Sequence, residues 1–262
     1  TMLKMILEED FFKEANLSSL QMITYGAAVM PLKVITTAIN KLPQVSFINA
    51  FGQTESGSTI AALTPEDHKL TGSSADLEKK LHRLSSIGRP LEGIEVRIYS
   101  NESIVPSGQI GEILVRSEQI MDRYWNDNTS SSLIIEDGWL HTGDMGYVDE
   151  DGYIFLQGRL KDFIKRGGER ISPNEIESVL LQHTYVDEAA VIGKPDNHWG
   201  ETILAFVIKS SNSEVTEKDL IIHCKKLLAS FKKPEQIIFV ETMPKNSLGK
   251  ILKTDLKKLY LN

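Results

Sequence analysis

The sequence predicts a mixed fold in three parts: a partial parallel α/β sheet, then a small β-barrel or curled sheet, then an α+β domain. Two apolar runs flank a helix-like segment near the start of the chain. Short strands alternate with turns rich in Gly, Pro and Asp further along, and helices alternate with strands after Asp162. We place the three parts at residues 1–85, 86–160 and 162–262.

The first part contains a strand–helix–strand pattern. Residues 20–25 form an apolar run that predicts a buried strand, and residues 45–50 predict a second. Between them, apolar residues recur at helical spacing over residues 31–42, starting from a proline that suits a first helical turn. The two strands should therefore be parallel with a right-handed crossover. The loops at 26–28 and 51–55 then lie at the carboxyl ends of their strands, where open parallel sheets bind ligands.

The second part has short predicted strands separated by turns, as in a small antiparallel sheet. Strands are predicted at residues 94–99 and 110–116. A turn at residues 149–152 separates the apolar residues 147–148 from 153–156.

The third part opens with a helix start signal. Ser172 is the expected N-cap, Pro173 occupies the first helical position, and Glu175 completes a capping box. The single cysteine, Cys224, lies on the apolar face of a helix and is expected in the core. The remaining elements are predicted as strands near 188–193, 202–209 and 236–240, and helices near 216–229 and 253–260.

Composition narrows the class of protein. Hydrophobic residues make up 41% of the 262 residues and charged residues 25%, as in ordinary globular proteins. No apolar run is long enough to span a membrane, and the first residues lack a secretory signal. One cysteine excludes an intrachain disulfide. These observations predict a cytoplasmic protein.

The charge is unevenly distributed. The net charge of −7 argues against nucleic-acid binding. Residues 225–262, however, hold nine lysines against three acidic residues, a net of +6, so the rest of the chain carries −13. This basic segment could be a solvated helix face. It could also meet an anionic small molecule or dock on the acidic body.

Five short segments carry chemically informative residues. Each alone is more often a plain turn, helix cap or hairpin loop than a functional site. They are Gly26-Ala27-Ala28, Thr54-Glu55, Gly143-Asp144, Lys165-Arg166-Gly167-Gly168 and Lys245 to Lys250.

Taken together and in order, these segments resemble the adenylate-forming superfamily. That superfamily comprises acyl-CoA synthetases, peptide-synthetase adenylation domains and beetle luciferases, and fatty acyl-CoA synthetases are the most similar. The resemblance covers nearly the whole chain. Its most specific stretches are Gly138-Trp139-Leu140-His141-Thr142-Gly143-Asp144, Gly158-Arg159-Leu160-Lys161-Asp162, Ile171 to Glu177, and the terminal Pro-Lys-x-x-x-Gly-Lys at residues 244–250.

The resemblance implies an ATP site. Glu55 would hold Mg²⁺, a cation that prefers carboxylate and phosphate oxygens. Thr54 would donate to the α-phosphate, Asp144 would accept from both ribose hydroxyls, and Arg159 would donate to the ribose and phosphate region. The remaining nucleotide-binding positions would be Gly26, Ala27, Ala28, Asn49, Gly52 and Phe51, which stands where relatives usually have tyrosine.

The resemblance also implies two successive reactions. Lys250 would be catalytic, since its ammonium would bridge the attacking carboxylate and the α-phosphate of ATP. A hinge at Lys161 would then rotate the C-terminal domain. The rotation would bring a loop into place that lines the tunnel for the thiol of CoA, formed by Lys165, Gly167, Gly168 and Arg170.

The function implied is that of an acyl-CoA synthetase acting on a fatty or similar carboxylic acid. An adenylation enzyme that loads a carrier-protein pantetheine is the alternative, and a non-catalytic nucleotide-binding fragment is another. Relatives carry an upstream phosphate-binding loop, and nothing before Gly26 resembles it. We therefore expect the 262-residue chain to be a fragment that cannot adenylate alone. The acid and the oligomeric state stay open.

Overall fold

The computed structural model describes residues 2–27, 30–211, 213–247 and 249–261. The chain divides into two compact units, residues 1–156 and 157–262. The first unit contains two sheets and the second unit contains one. None of the helices in the described ranges is long and apolar enough to cross a lipid bilayer.

The first sheet is built on a parallel pair of strands. β1 (Met22–Gly26) and β2 (Ser46–Gln53) run parallel, with Tyr25 opposite Asn49 and Gly26 opposite Ala50. The connecting helix α2 begins directly after Pro31, which confirms the predicted strand–helix–strand unit. β3 and β4 extend the sheet in the antiparallel sense, in the order β1-β2-β3-β4. The elements are β1 (Met22–Gly26), α2 (Leu32–Lys41), β2 (Ser46–Gln53), β3 (Ser58–Leu63) and β4 (Arg89–Pro90), preceded by α1 (Met2–Glu8).

Apolar spacing in α2 accounts for its packing. Ile35 and Ala38 are fully buried one turn apart and pack with Phe47 of β2. A further helix, α3 (Ser74–Arg83), starts at Ser73, whose hydroxyl accepts from the Asp76 backbone in a reciprocal capping box.

The second sheet of the first unit has six strands in the order β10-β9-β7-β5-β6, with β8 beside β9. The predicted turn before β10 is confirmed, because the Asp149 carboxylate accepts from the backbone of Asp151 at 3.0 Å and of Tyr153 at 2.8 Å. The elements are β5 (Glu95–Ser100), β6 (Ser103–Ile104), β7 (Gly111–Arg116), α4 (Asn128–Ile134), β8 (Ile135–Glu136), β9 (Trp139–Val148) and β10 (Ile154–Arg159).

The second unit is a five-stranded sheet in the order β12-β11-β14-β13, with β15 parallel to β14. Alternate residues of β13 point to opposite faces, and both faces are covered. Val191 packs with α5 (Pro173–Leu181) and α6 (Glu217–Leu227), whereas Ile192 packs with α7 (Lys253–Leu261). The elements are β11 (Ile164–Arg166), β12 (Glu169–Ile171), α5 (Pro173–Leu181), β13 (Val186–Asp196), β14 (Gly200–Lys209), α6 (Glu217–Leu227), β15 (Gln236–Phe239) and α7 (Lys253–Leu261).

The start of α5 departs in part from its prediction. Ser172 is the N-cap, and its hydroxyl accepts from the Glu175 backbone at 3.3 Å. The reciprocal half of the predicted capping box is wrong, because the Glu175 carboxylate accepts from Lys232 at 2.7 and 2.8 Å instead. A charged donor within reach outcompetes the neutral backbone amide. Cys224 is fully buried on α6, as predicted.

Candidate active site

Two glycines shape the carboxyl ends of β1 and β2. A Cβ on Gly26 would lie 2.2 Å from the carbonyl oxygen of Ala50. Gly52 follows a register irregularity in β2, and a Cβ there would lie 1.8 Å from the carbonyl oxygen of Ser58. Because both contacts are with backbone, no larger residue fits without moving a strand. The close packing of backbone within the sheet therefore requires glycine at both positions.

The neighbouring predicted residues have different surroundings. Asn49 is buried, and its amide donates to the carbonyl oxygen of Ser86 at 3.4 Å. Phe51 packs partly against the apolar cluster between the two sheets. Ala27 adopts a φ of 66°, a left-handed conformation that alanine seldom takes. Ala28 lies outside the described residues.

Glu55 is held by a residue that the sequence analysis missed. Glu55 lies in a single helical turn, Thr54–Ser56, directly after β2. The hydroxyl of Tyr124 donates to Oε1 of Glu55 at 2.6 Å. The hydrogen bond to this carboxylate raises the pKa of Tyr124 to about 12. The backbone amide of Met121 also donates to the Glu55 carbonyl at 3.0 Å, so the segment after β7 is fastened to this turn.

Asp144 projects from a bulge in β9. The register between β7 and β9 changes by two residues between Glu112 and Leu114, so that Ile113 alone faces residues 142–144. Within the bulge, Gly143 has a φ of 69°. Asp144 itself is buried, with 7% of its surface exposed.

Side chains replace the ladder hydrogen bonds that the bulge removes. Thr142 donates its hydroxyl to the carbonyl oxygen of Ile113 at 2.7 Å and accepts from the Asp144 amide at 3.1 Å. The Glu112 carboxylate accepts from the Gly143 amide at 3.0 Å and from Nδ1 of His141 at 2.9 Å. Since an ionised carboxylate only accepts, Nδ1 of His141 carries the proton. Glu112 was also missed, although an acidic residue before the apolar run Ile-Leu-Val was a usable signal.

In the second unit, the predicted thiol-tunnel residues form a tight hairpin. Lys165 pairs with Arg170 across β11 and β12, so these exposed residues are cross-strand neighbours. The two-residue turn consists of Gly167, with a φ of 57°, and Gly168, with a φ of 89°. Two left-handed residues in succession define the turn type that matches the twist of a hairpin.

The two glycines of this turn face different surroundings. The Gly167 amide donates to the carbonyl oxygen of Trp199 at 2.9 Å, and a Cβ on Gly167 would lie 3.0 Å from the Trp199 ring. A Cβ on Gly168 would meet nothing within 4 Å among the described residues. Arg166 anchors the base of the hairpin by donating to the carbonyl oxygen of Phe231 at 2.8 Å and to the carboxylate of Glu235. The turn is therefore hydrogen-bonded to the rest of the unit through Gly167 and has open space beside Gly168.

Lys250 lies in a second loop of this unit. Lys245 and Ile251 form a β-bridge, and the Asn246 side chain accepts from the Lys250 amide at 2.9 Å. The Lys250 side chain is exposed. Lys245 donates to Oε1 of Glu188 at 2.6 Å and so ties the loop to the start of β13. Leu248 lies outside the described residues.

The Lys250 loop and the hairpin lie at opposite ends of one sheet. The loop is fastened to Glu188, near the start of β13, whereas Arg166 of the hairpin pairs with Gly200, opposite Asp196 at the end of β13. At strand spacing, the rise from residue 188 to residue 196 is about 26 Å. The structure therefore brings the predicted thiol-tunnel residues together in one hairpin, but it places this hairpin far from Lys250. Arg159 ends β10, and Lys161 is exposed in a short helical turn that follows it.

The sequence matches the family described as AMP-binding enzyme over residues 1–125, and the AMP-binding enzyme C-terminal domain over residues 175–250. The chain belongs to the adenylate-forming superfamily, as the sequence motifs implied.

Three relatives illustrate the range of this superfamily. A fatty acid–[acyl-carrier-protein] ligase from Streptomyces coeruleorubidus is 36% identical over 262 residues, which are 99% of this chain and 48% of the relative. An amide bond synthetase from Marinactinospora thermotolerans has a TM-score of 0.89 at 31% identity, covering 99% of this chain and 50% of that one. The o-succinylbenzoate coenzyme A synthetase from Bacillus subtilis, solved with ATP and a magnesium ion, has a TM-score of 0.81 at 31% identity, covering 98% and 50%. The chain thus spans about half the length of these relatives.

Proposed function

We propose that the intact protein activates a carboxylic acid with ATP as an acyl adenylate and then transfers the acyl group to the thiol of CoA. The observation that carries this proposal is the separation within the second unit. Lys250 and the Gly167–Gly168 turn occupy opposite ends of the β13–β14 pair. Two reactions that share one pocket need two such surfaces, presented in turn.

In the first reaction, a carboxylate oxygen attacks the α-phosphorus of ATP, and the bond to the pyrophosphate oxygen breaks. Negative charge builds up on the α-phosphate, where the Lys250 ammonium and the Thr54 hydroxyl would stabilise it. Gly26 and Gly52 carry no side chain, so the adenine and the acyl group would come near the backbone at the sheet edge. Asp144 would accept from the ribose hydroxyls, and Arg159 would donate near them. Asn49, Phe51 and Ala27 would line the nucleotide site.

Glu55 fits the role proposed for it with magnesium. No cluster of three or more metal-ligating side chains occurs in the part of the chain that the structure describes. Mg²⁺ in nucleotide sites characteristically needs only one or two carboxylates, because phosphates and water complete its shell. A single carboxylate already aimed by Tyr124 suits this arrangement. When bound, the ion would neutralise charge on the phosphates of ATP.

In the second reaction, the thiol sulfur attacks the acyl carbonyl carbon, the bond to AMP breaks, and AMP leaves as the thioester forms. The open side of Gly168 would give the pantetheine chain room to pass, with Lys165 and Arg170 beside it. Lys161, exposed in the turn after β10, is the proposed hinge. We place the protein in the cytoplasm, where CoA and ATP are available.

The proposal also specifies the thiol acceptor and the class of carboxylic acid. Among the three relatives, one is named for a carrier protein, one for coenzyme A and one for an amide bond. We favour CoA and a fatty or similar acid. Loading of a carrier-protein pantetheine is the second candidate, favoured by the fatty acid–carrier protein ligase that matches 99% of this chain.

The first test is acid-dependent exchange of radiolabelled pyrophosphate into ATP by the intact protein, with a panel of aliphatic and aromatic acids. The proposal expects exchange with at least one acid, followed by thioester formation with free CoA. Exchange without transfer to CoA, but with transfer to a phosphopantetheinylated carrier protein, would favour the second candidate. No exchange with any acid would reject both.

The 262-residue chain by itself is the matched comparison. We expect it to show no pyrophosphate exchange, since no phosphate-binding loop precedes Gly26 in it. Calorimetry with AMP would then show whether the chain retains nucleotide affinity, as a non-catalytic nucleotide-binding fragment would. Exchange by this chain alone would contradict the expectation.

A further inference from the structure

We propose that Glu112 is a positioning residue for nucleotide binding, which holds the β9 bulge so that Asp144 can reach the ribose. The proposal rests on the proposed function, because it assumes that Asp144 accepts hydrogen bonds from the ribose hydroxyls. It adds a residue that the motifs quoted above did not identify, and it accounts for the hydrogen bonding of the bulge that contains Asp144.

The bulge in β9 leaves backbone groups without regular ladder partners. Residues 142–144 face Ile113 alone, so at least two of them lack a regular ladder partner. Buried amides need an acceptor, because leaving one unpaired costs free energy comparable to a lost hydrogen bond. The Gly143 amide finds Oε1 of Glu112 at 3.0 Å, and the Asp144 amide finds the Thr142 hydroxyl at 3.1 Å. The two amides at the tip of the bulge therefore depend on side chains.

Glu112 is suited to this task by its burial and by its second contact. Only 13% of its side chain is exposed, and its other oxygen accepts from Nδ1 of His141 at 2.9 Å. The carboxylate thus accepts hydrogen bonds from the residues on both sides of Thr142, namely His141 and Gly143. Hydrogen bonds to an ionised acceptor are shorter and stronger than neutral ones, so these two bonds fix the path of the backbone into Asp144.

A positioning role differs from a merely structural one in what it changes. If Glu112 only stabilised the sheet, its loss would weaken the binding of all nucleotides by the same factor. If it aims Asp144, its loss should remove the preference for a ribose that carries hydroxyls. The measured quantity is therefore the ratio of the dissociation constants of 2′,3′-dideoxy-AMP and AMP, taken by calorimetry on the intact protein.

We expect the wild-type protein to bind AMP at least about tenfold more tightly than 2′,3′-dideoxy-AMP, as hydrogen bonds to a charged acceptor require. In Glu112→Leu, which lacks any acceptor, the ratio should fall to within about threefold of one. Glu112→Gln should restore most of the ratio, because its amide oxygen can accept from the Gly143 amide. Glu95→Gln is the matched control on the same sheet, since Glu95 pairs only with exposed Arg116 in the described residues.

A second variant guards against misfolding of Glu112→Leu. Thr142→Val keeps the shape of the side chain but removes the acceptor for the Asp144 amide, and it should lower the ratio as well. A wild-type ratio in either variant, with the fold verified by thermal unfolding, would overturn the inference and leave the ribose assignment intact. Equal affinities of the wild-type protein for both nucleotides would instead reject the role of Asp144, and the inference with it.

Discussion

The phenol of Tyr124 and the carboxylate of Glu55 form a 2.6 Å hydrogen bond between residues 69 positions apart in the chain. This contact points the carboxylate in one direction before any ligand arrives. Together with the hydrogen bond from Met121 to the Glu55 carbonyl, it fastens the turn after β2 to the segment after β7. A ligand that engages Glu55 therefore meets a preorganised group, which lowers the ordering cost of binding.

The first prediction concerns the titration of this phenol. In Glu55→Gln, the pKa of Tyr124 should fall from about 12 toward its ordinary value near 10, because the carboxylate no longer holds the proton. Absorbance of the phenolate would measure the shift, and Tyr124→Phe would assign the signal. The titration of Tyr25, whose pKa is raised by burial, should not respond. An unchanged titration in Glu55→Gln would show that the hydrogen bond does not form in solution.

The same shift has a consequence for stability. The pKa of Tyr124 is higher in the folded chain than in the unfolded chain, so the stability that the phenol contributes is fully present below about pH 10. That contribution is lost as the pH rises from about 10 to about 12. Tyr124→Phe should therefore show a shallower alkaline loss of stability than wild type over this interval. Identical profiles would count against the contact.

The second prediction separates the two reactions. Lys250→Ala should slow acyl-adenylate formation by about a hundredfold or more, since one preorganised donor to the α-phosphate is lost. Thioester formation from supplied acyl adenylate should change little, because the hairpin lies at the other end of the sheet. Lys258→Ala is the control, as Lys258 pairs only with Asp255 on the surface of α7 among the described residues. Equal losses in both steps would contradict the separation of roles.

The third prediction concerns the attachment of α7. Lys253 donates to Oε1 of Glu177 at 2.6 Å, and the Val191 amide donates to the same oxygen at 2.7 Å. Both charged side chains are less than one-fifth exposed. Glu177→Ala should lower the free energy of unfolding by about 2–4 kcal/mol, because it leaves a buried amide and a poorly solvated ammonium unpaired.

Denaturant unfolding would measure this loss. Asp255→Asn, which breaks the exposed pair with Lys258 on the same helix, should cost no more than about 0.5 kcal/mol. Comparable losses in the two variants would show that burial does not decide the strength of these pairs.

The fourth prediction concerns Cys224, the only cysteine in the sequence. Its side chain is fully buried, and burial raises the pKa of its thiol to about 11. Because the thiolate is the reactive form, a disulfide reagent at pH 8 should label the native chain slowly. One equivalent should react at once in denaturant. Rapid native labelling would place the thiol nearer to solvent than α6 allows.

Local patterns were enough to predict much of the fold. Pro31 and the apolar spacing after it located α2, and the hairpin loop that the sequence offered as an alternative at Gly167-Gly168 forms, with both glycines left-handed. The capping box at Ser172 failed in one half, because Lys232 lies 57 residues from Glu175 and its approach is set by the packing of the second unit. Competition from distant partners is invisible to a four-residue pattern.

Tyr124 and Glu112 could not be predicted from local sequence patterns for the same reason. Tyr124 meets Glu55, and Glu112 meets His141, only after strands distant in the chain have paired. The motifs therefore pointed to Glu55 and Asp144 as proposed site residues, but not to Tyr124 and Glu112, which hydrogen-bond at and beside them.

The first strand of the chain bears on how the protein can be handled. β1 ends its sheet, and within the described residues β2 is its only neighbour. No strand of the described residues pairs with its outer edge, the arrangement through which an edge strand can accept a strand of another chain, and Met22 of β1 is exposed. Preparations of the 262-residue chain should therefore associate through this edge as the protein concentration rises. Self-association, rather than unfolding, is the first hazard to check during purification.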